Sequence, residues 1–383
     1  MSETIQVYEG ADVFEKHQAV WEALLASSDI PADITPFYCR PQWMQCWAKQ
    51  FGHQWRCLLL IVERDGKAIG LLPLALGRGR LGNWKPTMVT WASWPWMDVF
   101  EIPAVNHEDR EATFRLGLQW ILNNLSGYRV MLFRELPTGG STIRALRAVA
   151  EEQKIPMHHM ICADSPVLDL QEFRRRDQPR KGSDERKLRS KRKKLDGLGE
   201  AEFKFFRPTP EEVDSLIAEC ADVEKESWQC AFGVGFLQGK EPLQFSTSLW
   251  KEYSPSADLA LATLRLDGRL IAYHWGPCEG NRFLSLNMSY RQEFKNTGPG
   301  NLLNNYMVDE GENLGLQFLD ASRGTPDGKH FLHDFGCTTR NHAMVVLYPP
   351  SLKGKLFFLL RHHFIPTARK ILYKPSPWKV LHG

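Results

Sequence analysis

The sequence predicts an α/β (α+β) fold made of two related units, each a mixed twisted sheet flanked by helices. Three observations carry that prediction. An Asp-Gly turn joins two apolar runs twice, at Asp65-Gly66 and at Asp267-Gly268, and this dipeptide suits the positive φ angles of a tight hairpin. Each hairpin is followed by a helical repeat and then by a strand, so one unit recurs along the chain. A glycine loop, Lys295-Asn296-Thr297-Gly298-Pro299-Gly300, stands only before the second of those helices.

The elements follow in order. Residues 13–25 carry apolar side chains at helical spacing, and 41–51 form a short helix with Pro at its first turn. Residues 57–62 and 69–76 are the strands of the first hairpin. Gly77-Arg78-Gly79-Arg80-Leu81-Gly82 does not lead into a helix and reads as a mobile loop, not a phosphate cradle. Trp91, Trp94 and Trp96 lie close to Asp98. Aromatics beside a carboxylate can grip a sugar or a cation, or can simply pack in the core. A helix over 111–125 precedes a strand over 128–133. Before that helix stands Asn106-His107-Glu108-Asp109, whose carboxylates would repel a phosphate. The first unit is therefore not expected to hold a phosphate.

Residues 167–170 read as a strand leaving the first unit. From Arg174 to Lys194 the chain carries twelve Lys and Arg residues with few acids between them. Such a run is either a solvated linker and surface helix or a contact for phosphates. No aromatic residue lies within it, so base stacking is not supported. A helix over 211–228 has Thr209 as its N-cap candidate. The second unit follows: strands over 260–266, 270–275 and 283–288, a helix from 300 to 315, a strand over 317–320, and a closing strand over 343–347. The tail, 353–373, mixes apolar and basic residues and reads as an interfacial helix on an acidic membrane or as a segment docked on the protein. The expected domains are 1–170, a basic linker and helical connection over 171–256, 257–350, and a basic tail over 351–383.

Composition narrows the function. Of 383 residues, 43% are apolar and 24% charged, which excludes global disorder. A net charge of +3 does not argue for nucleic acid. The 8 Cys have no metal-like spacing, so no metal is expected. No secretion signal and no bilayer-length apolar run is found, so a cytoplasmic protein is expected. Neither a Gly-x-Ser-x-Gly elbow nor a Gly-Lys-Ser/Thr phosphate loop is present, which counts against a serine hydrolase and an NTPase.

A strand, a glycine loop and a helix N-terminus together make an anion site, because glycines admit the ligand and free N–H groups point at it. Lys295, Gly298 and Gly300 stand at the spacing of the pyrophosphate loop of the GNAT acyltransferases, with Lys in place of the usual Arg or Gln. The wider stretch resembles the CelD-type acetyltransferase-like branch, related to the FemAB transferases. Its carriers are Gly268-Arg269-Leu270-Ile271-Ala272-Tyr273, Asn287-Met288-Ser289-Tyr290, Gly300-Asn301-Leu302-Leu303, Asp320, Arg323-Gly324 and Lys329.

The resemblance implies two GNAT-like units, the C-terminal one carrying the donor site, and direct transfer from acyl-CoA (acetyl-CoA) to an amine or hydroxyl. It implies donor contacts at Lys295, Thr297, Gly298, Gly300 and Asn301. Asp320 is the first candidate for the base, with a cap or an ion pair to Arg323 as its other readings. His274 and Tyr273 alternate on a strand, so only one lines the cleft. Tyr290 is the candidate proton donor to the leaving thiolate. Asp98, Trp228, Arg323 and Lys329 are the substrate-binding candidates. The leading reading is an acyltransferase acting on a cell-envelope or polysaccharide precursor, cytoplasmic or peripheral to the inner face of the membrane. The alternatives are a FemAB-type aminoacyl transferase using charged tRNA, and a non-catalytic donor-binding protein.

Overall fold

A computed structural model describes residues 2–30, 36–81, 84–93, 95, 97–176, 182–231, 235–324 and 330–364. The chain divides into two compact units, residues 1–162 with 341–383, and residues 163–340. The stretch 171–256, expected as a connection, lies inside the second unit, and the tail lies inside the first.

The expected helix over 13–25 is two pieces, Val13–Lys16 and α1 (Gln18–Ser27). β1 (Glu3–Glu9) precedes them, and α2 (Pro41–Phe51), β2 (Arg56–Arg64), β3 (Lys67–Arg78) and β4 (Thr87–Trp91) follow. They are followed by α3 (His107–Asn124), β5 (Val130–Pro137), α4 (Ser141–Glu152) and β6 (Met157–Asp169). The second half holds α5 (Gly182–Asp196), β7 (Ala201–Phe206), α6 (Val213–Lys225), α7 (Lys240–Tyr253), β8 (Leu259–Leu266) and β9 (Arg269–Glu279). After these come β10 (Arg282–Leu284), β11 (Asn287–Tyr290), α8 (Pro299–Glu310), β12 (Phe318–Asp320), β13 (Thr338–Leu347) and α9 (Leu352–Leu359). The boundary between the units falls within β6 and within β13.

The first unit's strands run β1-β2-β3-β4-β5-β13, and the second unit's run β7-β8-β9-β10-β12-β6. Position by position the pairings agree: the hairpins are antiparallel, while β4 with β5 and β10 with β12 are parallel. The bulges agree too. One falls between Val62 and Glu63 and the other between Leu264 and Arg265, in both cases two residues before the turn's Asp. Asp65 and Gly66, like Asp267 and Gly268, all have positive φ, as the tight turn requires. The duplication read from the Asp-Gly hairpins is thus present in the topology of each unit.

Helix starts explain why only one unit keeps a glycine loop. Asn106 caps α3 by accepting from the Asp109 N–H at 2.9 Å, and Asp109 is ion-paired with Arg64 at 2.5 Å. That helix end is already satisfied. At α6 the expected Thr209 cap is replaced: Glu212 precedes the helix, and its carboxylate accepts from the Thr209 N–H. Trp91 is core, packed against Phe100 and Phe133, while Trp94 and Trp96 lie outside the described residues. The second unit's core is built from alternate residues of β8, from Ile271, Ala272 and Cys278 of β9, from Leu302, Leu303, Met307 and Val308 of α8, and from Leu195 of α5.

Candidate active site

The site begins where the second unit's sheet opens. The expected strand over 283–288 is two strands. β10 pairs with β12 up to Leu284 and Asp320, and β11 pairs only with β9. Between them, the Ser285 N–H donates to the Asp320 carbonyl at 2.8 Å, and the Leu286 N–H donates to the Trp275 carbonyl at 3.1 Å. Ser285 therefore stands at the fork.

β11 leads into a 3₁₀ turn, Gln292–Thr297, and then Gly298 reverses the chain with φ 65° and ψ 50°, a left-handed conformation that favours glycine. Pro299 opens α8, where its missing N–H costs nothing. The helix ends at Glu310, before the expected Gly315. The first N–H groups of such a helix have no partner within it and carry its positive dipole end. Over this end lies α5. Its Leu195 is fully buried and its Leu188 packs against the core, which fixes the basic helix on the unit. Lys191 is brought onto the loop: a Cβ on Gly298 would meet its Cδ at 2.8 Å and its ammonium nitrogen at 3.2 Å. Burial, and next the neighbouring Lys187, hold the Lys191 pKa below its usual value. A cavity of about 220 Å³ opens here, lined by Lys187, Lys191, Asn301, Asn305 and Phe331, and also by Asp184 and Asp334. This is less than the roughly 300 Å³ of the smallest complete ligand pockets, and it suits a charged end group.

The loop residues divide. Asn301 is exposed and lines that cavity. Lys295 is exposed, and its carbonyl accepts from the Gly298 N–H at 3.1 Å. Thr297 is buried, and its hydroxyl donates to the Phe294 carbonyl at 2.8 Å, so it locks the turn. Gly300 needs correction. A Cβ there would meet Met288 at 3.3 Å and Tyr290 at 3.4 Å, so this glycine admits the sheet to the helix and does not admit a ligand. Tyr290 is half-buried among the core residues of the unit.

His274 faces α8 and Tyr273 faces away from it. The Tyr273 hydroxyl is 3.3 Å from Glu224, a buried carboxylate that also accepts from the N–H groups of Phe236 and Leu237. His274 is 2% exposed. Its Nδ1 lies 3.0 Å from Asn304 Oδ1 and its Nε2 lies 2.6 Å from Ser285 Oγ. Burial, partly opposed by the Asn304 hydrogen bond, brings its pKa down to about 3. His330 is likewise lowered to about 4, by burial first and then by His333.

Asp320 is 1% exposed and its four acceptor positions are in use. Oδ1 accepts from Ser165 Oγ at 3.0 Å and from the Ser322 N–H at 2.8 Å. Oδ2 accepts from Arg282 at 3.1 Å and from Arg340 at 3.2 Å. The expected base is an anchor between strands, with no oxygen directed at an acceptor. Arg323 is exposed. Lys329 and the Trp228 side chain lie outside the described residues. Asp98 belongs to the first unit, where it accepts from the Tyr38 hydroxyl at 3.3 Å. Ser285, Asn304, Arg282 and Arg340 were not singled out in the sequence, where residues 283–288 alternate without a break. Among the described residues no group of three His, Cys, Asp or Glu is placed to hold a metal ion, and no helix is long and apolar enough to cross a membrane.

Comparison with known proteins bears on the family and the fold. Residues 182–330 match the family described as Acetyltransferase (GNAT) domain. No curated protein matches the chain. Among solved structures, a conserved protein of unknown function from Bacteroides thetaiotaomicron is similar at 8% identity, covering 90% of this chain and 100% of that one, with a TM-score of 0.53. FemX is similar at 11% identity, covering 92% and 99%, with a TM-score of 0.53. The C-terminal domain of a putative lysylphosphatidylglycerol synthetase from Agrobacterium fabrum is similar at 10% identity, covering 91% and 95%, with a TM-score of 0.51. At these identities the likeness is one of fold.

Proposed function

We propose, from the match of residues 182–330 to the GNAT acetyltransferase family, that the chain is an acyltransferase that moves an acyl group from acyl-CoA to an amine or hydroxyl. A domain of this family implies an acyl-CoA-type donor. The observation that carries the reading is Lys191 packed on left-handed Gly298 at the start of α8, beside a cavity lined by Lys187 and Asn301. The Lys191 ammonium and a helix N-terminus meet beside this cavity, which suits a phosphate, while Lys187 on the same cavity is paired with Asp184 at 3.0 Å. The acyl end then falls at the fork marked by Ser285 and Asp320. A cell-envelope or polysaccharide precursor remains our proposed acceptor, with acetyl as the acyl group. Calorimetry with CoA and acetyl-CoA tests the donor: binding in the micromolar to millimolar range supports the reading, and none for either would overturn it.

A second reading has one observation in its favour. On α5, Arg186, Arg189, Lys193 and Lys194 are exposed, so a polyanion such as charged tRNA has a surface to meet. For the first unit we propose a peripheral contact with an anionic membrane. Leu352 is 87% exposed, Leu356, Leu359 and Leu360 are also exposed, and Lys353 and Lys355 lie among them.

A further inference from the structure

The first unit holds a cavity that the acyl-transfer reading does not use. Its volume is about 790 Å³, within the roughly 300–1,000 Å³ range of complete small-molecule sites. It lies between the C-terminal end of α3 and the start of α9, away from the acidic N-terminal end of α3. Trp84, Leu122, Leu125, Tyr128, Pro349 and Phe357 form an apolar wall. Leu125 and Tyr128 are buried, and Phe357 packs on Trp84 at 4.9 Å, so the wall is held in place. Gly354 lets α9 sit on that wall, because a Cβ there would run into the Pro349 carbonyl. The charge on the lining has one sign. Arg129 and Lys353 are exposed on it, and no Asp or Glu is among its described residues. Neither cation has an ion-pair partner among the described residues. Arg361 is a third cation beside the wall, 4.7 Å from the centre of the Trp84 ring. The first turn of α9 meets the cavity through Ser351, Lys353 and Gly354, so the positive end of that helix adds to the same field.

We infer that this cavity binds one anionic phospholipid, with an acyl chain along Leu122, Leu125 and Tyr128 and the phosphate at Arg129, Lys353 and the start of α9. The inference deepens the membrane reading of the first unit and rests on it for the source of the lipid. Two features select this occupant together. A free phosphate leaves the apolar wall in water, and an uncharged chain leaves two cations unpaired. A lipid with a chain and a phosphate satisfies both. The continuation of the chain is the wrong partner, since residues 365–383 carry Arg369, Lys370, Lys374 and Lys379 and no acid. They repeat the sign of the lining and do not neutralise it. The path from a bilayer is short. Leu352 stands between the lining residues Ser351 and Lys353, and it is the most exposed of the leucines that the membrane reading uses.

The test uses the full chain and calorimetry with dioctanoyl phosphatidylglycerol, kept too dilute to form micelles, so that no lipid surface is present. One lipid per chain is expected. Dioctanoyl phosphatidylcholine has the same chains and no net charge, and it should bind at least ~10-fold more weakly. Glycerol phosphate, which has no chains, should not bind measurably. Arg129→Gln with Lys353→Gln should weaken phosphatidylglycerol by about tenfold. Asn123→Trp, at an exposed position of the lining, should fill the cavity and abolish binding, and the charge variant keeps the test open if this one does not fold. Binding of the dilute lipid by a protein that does not sediment with phosphatidylglycerol vesicles supports the cavity and overturns the membrane contact. Sedimentation with vesicles and no binding of the dilute lipid overturns the cavity and leaves the membrane contact standing. Equal affinity for the two lipids, glycerol phosphate bound as tightly as the lipid, or affinity unchanged in both variants also overturns the inference.

Discussion

Lys191 lies across Gly298 so closely that a Cβ on the glycine would come within 2.8 Å of Lys191 Cδ. The basic helix and the glycine loop are therefore one structural feature, although about a hundred residues separate them in the chain. Lys191→Ala should weaken CoA binding by about 1.4 kcal/mol, which is tenfold, and should lessen its salt dependence. Lys191→Met keeps the packing and should lose the same affinity. Calorimetry at two ionic strengths checks this, and unchanged affinity in both variants would remove the lysine from the donor site.

Asp320 gives the second prediction. It neutralises Arg282 and Arg340, whose side chains are only 12% and 15% exposed. Breaking a buried ion pair by removing one partner costs about 3–5 kcal/mol. Asp320→Ala should lower stability by that order in denaturant titration. Asp320→Asn should lose turnover in proportion to lost folded protein, and high pH should not rescue it. A stable Asp320→Asn protein whose turnover recovers at high pH would restore the residue as a base.

How much of this was legible varies with how local each signal is. The hairpins were readable because Asp65-Gly66 and Asp267-Gly268 encode their own turn. The loop at Gly298 was readable as a glycine turn ahead of a helix, and its left-handed conformation came with the structure. The fork at Ser285 was not, since it depends on β12 ending at Asp320, and nothing within 283–288 announces that end. The surroundings of Asp320 were not legible because its partners Ser165, Arg282 and Arg340 are distant in sequence, so only the tertiary fold assembles them. His274 was found through its strand, but Asn304, one of the α8 residues that meet β9, was not distinguishable from any polar helix residue.

His274 and His330 make the third prediction. Their folded pKa values are near 3 and 4, below the unfolded value of 6.5. Between those limits the unfolded chain binds more protons than the folded one, so stability rises with pH. The stability is fully present above pH 6.5 and is lost as pH falls towards the folded values. For fully buried His274 the slope is at most about 1.4 kcal/mol per pH unit. Urea titrations at pH 7.5, 6 and 5 should show it. His274→Gln should flatten the slope by nearly one proton, and an unchanged slope would count against a buried neutral imidazole.

RNA separates the two donor readings. Arg192 is best left alone, because it pairs with Asp196 and stacks on Phe203. Replacing exposed Arg186, Arg189, Lys193 and Lys194 by Ala should leave CoA affinity within threefold, while any binding of charged tRNA should weaken and its salt dependence flatten. With CoA as donor, the wild type should hold tRNA only weakly at physiological salt. Tight, salt-sensitive binding by the wild type, lost in the variant, would instead favour the aminoacyl-transfer reading.

The last prediction concerns α9. Ser351 caps this helix by accepting from the Gly354 N–H at 3.2 Å, and Phe357 holds it to the first unit by packing on Trp84 at 4.9 Å. With the inner side anchored, Leu352, Leu356 and Leu359 are left exposed, and Lys353 and Lys355 are exposed beside them. A lone exposed leucine needs no explanation, but a cluster beside two lysines suits an anionic lipid surface. Each leucine side chain transferred from water contributes roughly 1.5–3 kcal/mol, so three of them with two lysines suffice for reversible binding. Replacing Leu352, Leu356 and Leu359 by Ser should abolish sedimentation with phosphatidylglycerol vesicles while leaving CoA affinity unchanged, since the proposed CoA site lies in the other unit. Replacing Lys353 and Lys355 by Gln should reduce that sedimentation most at low salt. Wild-type protein that stays in the supernatant with these vesicles would leave the leucines without a lipid partner.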